Sequence, residues 1–271
     1  MRLSVATWNI NSVRLRLPQV LKLLEDDQPD ILCLQETKCP DDQFPFAELR
    51  KLGYPHIAIS GQKGYNGVAV ISKFPFSEID RRPFCGKTDC RHIAVRLGAE
   101  AGAGEGLVVH NFYVPAGGDI PDPDQNVKFA HKLAFLEELT GWSESLLGHS
   151  DRSILVGDLN IAPLEHDVWS HKQLLSIVSH TPVETTGLLR AQTAGGWIDA
   201  VRSRTPEPEK IYTWWSYRSP DWQTADKGRR LDHIWMSPNL DRHLIGSKIQ
   251  RQTRGWERPS DHVPIISALE L

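Results

Sequence analysis

Ile154-Leu155-Val156-Gly157-Asp158-Leu159-Asn160 is a short apolar run that ends on a glycine, an acid and an amide. A continuous apolar run of this length, bounded by turn formers, reads as a strand buried on both faces. Ile31-Leu32-Cys33-Leu34 repeats the pattern and ends in Gln35-Glu36. Leu3 to Trp8 is a third such strand, closed by Asn9 and Asn11, and Val68 to Ile71 a fourth, led in by the turn signal Asn66-Gly67. His92 to Leu97 and Leu107 to Val114 read as a hairpin around the glycine-rich stretch 98–106. Ile211 to Trp215, Leu231 to Met236 and Val263 to Leu269 are strand-like as well. Helical spacing appears at Leu17, Val20, Leu21, Leu23 and Leu24, with Pro18 fitting only a first turn, and again at Phe129, Leu133, Leu136 and Leu139. Strands outnumber helices and come in hairpins, so the pattern predicts mixed sheets rather than a purely parallel doubly wound one. Residues 115–126 and 203–210 are Pro-rich loops, no tandem repeat is visible, and a single domain over 1–271 is the expectation.

Composition narrows the function classes. The 271 residues are 40% hydrophobic and 24% charged, which excludes disordered, collagenous and disulfide-scaffold chains. Lys and Arg number 31 against 34 Asp and Glu, so no global positive field advertises a polyanionic partner. A nucleic-acid role then needs a local basic face, or acids tied up by a cation. Cys33, Cys39, Cys85 and Cys90 lack metal-site spacing. No apolar run is long enough to cross a bilayer, and no membrane partner is expected. The absence of a signal-like N-terminus points to the cytoplasm.

The polar residues stand where a sheet protein places its ligands, at the ends of buried strands. Asn9 and Asn11 close one strand, Glu36 the next, Asp158 and Asn160 a later one. Asp232 interrupts the run from Leu231 to Trp235, and Asp261-His262 precedes the last strand. Carboxylates with carboxamides suit a hard cation such as Mg²⁺, with Mn²⁺ as a substitute, because both take oxygen ligands. Such a cation also lets an acidic site accept a phosphate. Each motif alone has a plainer reading: Gly157 to Asn160 as a turn, Glu36 as an exposed strand end, His262 as a structural histidine. Their order along the chain outweighs those readings.

Trp8-Asn9-Ile10-Asn11-Ser12, Leu34-Gln35-Glu36, Asn111-Phe112-Tyr113-Val114-Pro115, Gly157-Asp158-Leu159-Asn160, Leu231-Asp232-His233 and Ser260-Asp261-His262 together resemble the exonuclease III type of abasic-site endonuclease, within the endonuclease/exonuclease/phosphatase superfamily. The resemblance spans Trp8 to His262. It implies an α/β fold, a four-layer αββα sandwich of two packed mixed β-sheets flanked by helices, and Mg²⁺-dependent phosphodiester hydrolysis. It also implies roles by position. Tyr113, Asp158, Asn160, Asp232 and His262 resemble the catalytic group. Asn9, Glu36, Asp158, Asn160, Asp261 and His262 resemble the metal side. Asn11, Asn111, Trp214, Arg229 and Leu231 resemble DNA-facing positions. Asn160 resembles the donor to the scissile phosphate, and either Asp158 or His262 takes the proton of the attacking water. The implied substrate is double-stranded DNA with abasic sites or recessed or blocked 3′ ends, handled by a monomer.

Three departures bear on substrate choice. Ala116 stands where relatives often carry Asn or Gln, residues 117–125 form their own Pro/Asp-rich loop, and Arg229 stands where some relatives place an apolar residue lining the abasic pocket. Trp214, in the densest aromatic cluster of a chain with nine Trp, matches a wall of that pocket, whereas Trp215 reads as core. Lys63-Gly64-Tyr65-Asn66-Gly67 resembles a loop near the DNA and equally a plain hairpin turn. Two rivals remain: a non-specific endonuclease or phospholipid/inositol phosphate hydrolase of the same superfamily, and a non-catalytic DNA-binding module. Tyr113 argues against the first, because those relatives usually place His in that motif. The survival of Glu36, Asp158, Asp232 and His262 argues against the second.

Overall fold

The computed structural model describes residues 1–148, 151–219 and 221–271. β1 (Arg2–Asn9), β2 (Ile31–Gln35), β3 (His56–Ser60) and β4 (Val68–Ser72) occupy the N-terminal part, with helices α1 (Leu17–Asp26) and α2 (Phe46–Lys51) between them. The chain continues through β5 (Phe76–Asp80), β6 (His92–Leu97), β7 (Val108–Tyr113), α3 (Val127–Leu146) and β8 (Ser153–Asp158). The short α4 (His171–Leu174), α5 (Pro182–Ala194), β9 (Ile198–Asp199) and α6 (Trp222–Ala225) lead to β10 (Asp232–Met236), β11 (Leu244–Ile249) and β12 (Ile265–Glu270).

Two six-stranded sheets result, ordered β11-β12-β1-β2-β4-β3 and β5-β6-β7-β8-β10-β9. They share one plan. β1 runs parallel to β2 and β7 parallel to β8, and the other pairings are antiparallel. The echo between the two acid-terminated strands is therefore structural: β2 and β8 hold the same place in their sheets.

Alternation divides each central strand between two layers. Leu3 and Val5 of β1, Cys33 of β2, Ile154 and Val156 of β8 and Ile234 of β10 meet in the core between the sheets. Ala6, Trp8, Leu32 and Leu34 face outward onto Val20, Leu23 and Leu24 of α1. Leu155 and Trp235 face outward onto Phe135, Leu136 and Leu139 of α3 and Leu188 of α5. That is the expected four-layer sandwich, and burying each such side chain stabilises it by roughly 1.5–3 kcal/mol. Pro18 lies in the first turn of α1, as its missing N–H requires. Among the described residues no helix is long and apolar enough to cross a membrane.

One expected strand is absent. Ile211 to Trp215 makes only isolated bridges, Trp214 to Arg229 and Trp214 to His262. Tyr212 and Trp215, three apart, enter the same small core with Val263, a spacing that strand alternation forbids. Trp215 is thus core, as read.

Candidate active site

β1 runs parallel to β2 and β7 to β8, so each pair delivers its C-terminal ends to one side, and the Asn9–Asp158 and Tyr113–Glu36 hydrogen bonds bring the two sides together. β10 begins beside the end of β8, with Asp232 opposite Asp158. Just past these ends the backbone turns left-handed at non-glycine residues: Asn11 (φ 48°), Glu36 (φ 48°) and Asn160 (φ 55°). Such conformations cost on the order of 1–3 kcal/mol and collect where function demands a particular side-chain direction. Gly157 is dictated by packing. A Cβ there would lie 1.9 Å from the Phe112 carbonyl oxygen of the neighbouring strand.

These strand ends bring most of the sequence-derived residues together. Asn9 Nδ2 donates to Glu36 Oε1 (2.9 Å) and to Asp158 Oδ2 (2.8 Å), joining the two sheets. Tyr113 OH donates to the same Glu36 oxygen at 2.9 Å. Asp158 Oδ1 accepts the Asn160 backbone N–H at 2.9 Å. His262 Nδ1 bonds Asp232 Oδ2 at 2.8 Å, and its Nε2 lies 3.7 Å from Asp158 Oδ2. Thr213 Oγ1, which the sequence reading missed, donates to Asp232 Oδ2 at 2.7 Å and accepts the Leu231 and Asp232 N–H groups. No local pattern marked it, because its partners stand 18 and 19 residues away. Arg230 next door is locked bidentately on Asp167 (2.8 and 3.0 Å), which fixes where β10 starts.

The electrostatics follow from this crowding. Burial alone lowers His262, but the carboxylates of Asp232, Asp158 and Asp261 outweigh it and hold the ring well above the usual imidazole range. Burial, Asp232 and Glu36 push Asp158 up, against His262 and Asn9. Burial would raise Glu36, yet the Lys38 ammonium, the Asn9 amide and His262 bring it below the usual carboxyl range. Burial first, then Glu36 and Asp158, drive the Tyr113 phenol far up, so it stays protonated.

Two amides are placed differently from the sequence expectation. Asn111 is fully buried between the sheets, with Nδ2 on the carbonyls of Leu34 and Ala69 (3.0 and 2.9 Å) and Oδ1 on Gln35 (2.7 Å). It ties β7 to the opposite sheet and has nothing left for DNA. Asn160 directs its Nδ2 hydrogens to the Val114 carbonyl (2.9 Å) and Asp158 (3.1 Å), so in this arrangement no hydrogen is free for a phosphate.

The oxygens fit a hard cation. Lys38, also missed in the sequence, places its ammonium 2.6 Å from Glu36 Oε2 and 2.7 Å from Asn11 Oδ1, so a positive charge is already held by this set. Asp261 completes the rim, with Asn11 Nδ2 at 3.2 Å and Trp214 Nε1 at 2.9 Å. Asp158, Asp232 and His262 form a second, buried cluster, in which Asp232 Oδ1 has no partner among the described residues. His262 fits poorly as a ligand in this state, since a protonated ring has no lone pair to give.

Above these groups opens a cleft of about 1030 Å³. Glu36, Asn160, Asp261 and His262 line its floor, while Trp214, Arg229, Leu231 and Trp169 form a wall. The Arg229 guanidinium lies 5.2 Å over the Trp214 ring. Arg218 and Lys227 stand at the cleft, Lys227 over Trp169 at 4.8 Å. The 63–67 loop joins β3 to β4, with Tyr65 strongly exposed.

Comparison with known proteins places this arrangement. Exodeoxyribonuclease III of Haemophilus influenzae is 31% identical over 265 residues, 96% of this chain and 97% of that protein. The structure of an AP endonuclease from Archaeoglobus fulgidus superposes with a TM-score of 0.89 at 31% identity, covering 99% of this chain and 100% of that one. A 3′ phosphatase, NExo, from Neisseria, solved bound to a product DNA hairpin, gives a TM-score of 0.89 at 32% identity with the same coverage. Residues 6–262 match the Endonuclease/Exonuclease/phosphatase family, and with the sandwich, the strand-end acids and the relatives in agreement, the chain belongs to that family as a protein of the exodeoxyribonuclease III type.

Proposed function

We propose that this protein is a Mg²⁺-dependent DNA repair nuclease. It hydrolyses the phosphodiester 5′ to abasic sites in double-stranded DNA, and the same centre removes nucleotides and blocking groups from 3′ ends. The observation that carries the reading is the Asp232–His262 pair beside Asp158, whose His262 lines the floor of a cleft walled by Trp214 and Leu231.

Hydrolysis needs a proton acceptor for the attacking water and positive charge where the phosphorane gathers negative charge. Asp158, lifted by burial and neighbouring acids, is the stronger candidate base. His262, kept protonated by Asp232, faces the phosphate as a cation whose Nδ1 hydrogen is fixed on that carboxylate, leaving Nε2–H for the phosphate. Tyr113, still protonated, orients Glu36 and lies near the phosphate or leaving oxygen. Glu36 and Asp261, with Asn9 and the oxygens of Asp158 and Asn160 behind them, would hold the cation. When bound, that cation neutralises phosphate charge and polarises the P–O bond. Manganese would substitute, both ions taking oxygen ligands.

Trp214 and Leu231 suit a sugar without a base, because flipping costs least when no pairing or stacking is broken. Asn11 and Arg229 are further proposed DNA contacts. The protein is proposed to work as a monomer, in the reducing cytoplasm, where its four unpaired cysteines would persist. The test is incubation with an abasic duplex, a recessed 3′ end and a 3′-phosphate duplex, with Mg²⁺ or with chelator. Cleavage of all three only with Mg²⁺ is expected. Full activity in chelator would sink the cation requirement, and inertness towards every duplex would sink the nuclease reading.

A further inference from the structure

Arg229 carries a charge that the protein leaves uncompensated. Its Nη1 donates to the Val178 carbonyl (3.0 Å) and to Ser179 Oγ (2.8 Å), both neutral acceptors. Nε is buried with no partner. Among the described residues it forms no ion pair. The acid whose field reaches it, Glu184, already belongs to Lys132 and to the N–H groups of Ser179 and Thr181. Burial accordingly depresses Arg229, the mark of a cation short of a counter-charge. A guanidinium half out of water without a carboxylate is costly, and the natural remedy is an anion brought by the ligand. Arg218 and Lys227 line the same cleft but stand exposed, where water solvates them.

We propose that Arg229, stacked on Trp214, forms the subsite that recognises the extra negative charge of a terminal 3′-phosphate, making this protein's centre selective for phosphorylated 3′ ends. The inference rests on the nuclease reading and deepens it. A backbone phosphodiester carries one charge, whereas a phosphate monoester carries about −1.5 to −2 near neutral pH. His262 and the bound cation answer the charge common to both substrates. The additional charge of the monoester needs one more donor, and the Arg229 bonds among the described residues run from Nη1, leaving Nη2 in the cleft wall to supply it. In the reaction the water oxygen bonds to phosphorus and the P–O3′ bond breaks. The proton lost by water ends on the 3′ oxygen, leaving a 3′-hydroxyl and inorganic phosphate.

The test compares the parent with Arg229→Met, which keeps an unbranched stem against Trp214, and with Arg229→Lys, which keeps the charge. kcat/KM is measured on a 3′-phosphate duplex and on an abasic duplex at fixed salt, after unfolding curves establish that each variant is folded. Loss of one charge-assisted contact is worth roughly 10- to 100-fold. Arg229→Met should therefore fall by about that factor more on the 3′-phosphate than on the abasic duplex. Arg229→Lys should recover part of the difference. Inorganic phosphate should inhibit abasic incision by the parent more strongly than by Arg229→Met. Equal losses on both substrates with unchanged phosphate inhibition would overturn the inference while leaving the nuclease reading intact. A parent that cut neither duplex would remove both.

Discussion

Replacing Lys132 by Met tests how the loops that build the site are held. Lys132 Nζ is fully buried, and its three hydrogens go to Glu184 Oε1 (2.5 Å), the Asn160 carbonyl (2.9 Å) and the Ala116 carbonyl (3.2 Å). Glu184 is equally buried and also accepts from Ser179 N, Thr181 N and Thr181 Oγ1, capping α5. Methionine matches the stem but strips the counter-charge, leaving a carboxylate in the interior and two carbonyls without a donor. Breaking one side of a buried pair costs about 3–5 kcal/mol, a large part of the roughly 5–15 kcal/mol that holds a protein folded. At about 2–4 °C per kcal/mol for a chain of this size, the melting temperature should fall by roughly 6–20 °C, read by calorimetry or circular dichroism. Adding Glu184→Gln removes the stranded charge while keeping an oxygen for Ser179, so the double variant should melt higher than Lys132→Met alone. A drop below about 2 °C for the single variant would refute the reasoning, as would a double variant showing the sum of both single losses.

Asp158→Asn should lower turnover at least about 10²-fold while DNA binding survives, which single-turnover kinetics and a binding titration separate; near-parental turnover would reduce Asp158 to a turn residue. His262→Asn and Asp232→Asn should each cost turnover, with the double variant little worse than the worse single, and independent multiplying losses would break the pair apart. Glu36→Gln should weaken divalent-cation binding, followed by calorimetric titration of the cation alone. Asp167 is held below its ordinary value of 3.8 by Arg230 and Arg202 despite burial. A carboxyl lowered on folding contributes stability that is complete above its unfolded pKa and is lost as pH falls through the folded one. Asp167→Asn should therefore be less stable at pH 7, with the gap to the parent closing below about pH 4 in denaturant titrations.

Legibility in the sequence followed burial. β1, β2, β4, β6, β7, β8, β10 and β12, all interior to their sheets, were readable as apolar runs. The strands that escaped notice, β3, β5, β9 and β11, are the edges. An edge strand is paired on one side and half exposed, so it carries weak hydrophobic patterning: most of Phe76–Asp80 faces solvent, and β9 is two residues long. α5 was missed because its buried positions include Glu184, an acid that no apolar periodicity registers. Acids at strand ends were readable for the opposite reason, since a charge that interrupts a buried run is costly wherever the run lies.

What the sequence by itself determined is the layered frame and the set of polar residues at its end, because alternation and strand ends are local properties of the chain. Which partner each polar atom takes was decided only in three dimensions. Trp8 Nε1 meets the His262 carbonyl across 254 residues, and Asn9 meets Asp158 across 149. Asn111 and Asn9 look alike as strand amides, yet one stitches the sheets together and the other stands between Glu36 and Asp158. Lys38 and Thr213 gained their roles only when folding brought distant acids to them. Arg229 was visible as a departure from a motif, but its missing counter-charge became visible only once Glu184 was seen to be taken by Lys132. Protonation belongs to the same class: His262 is a cation because Asp232 and Asp158 converge on it in a water-poor site, and no stretch of sequence contains that convergence.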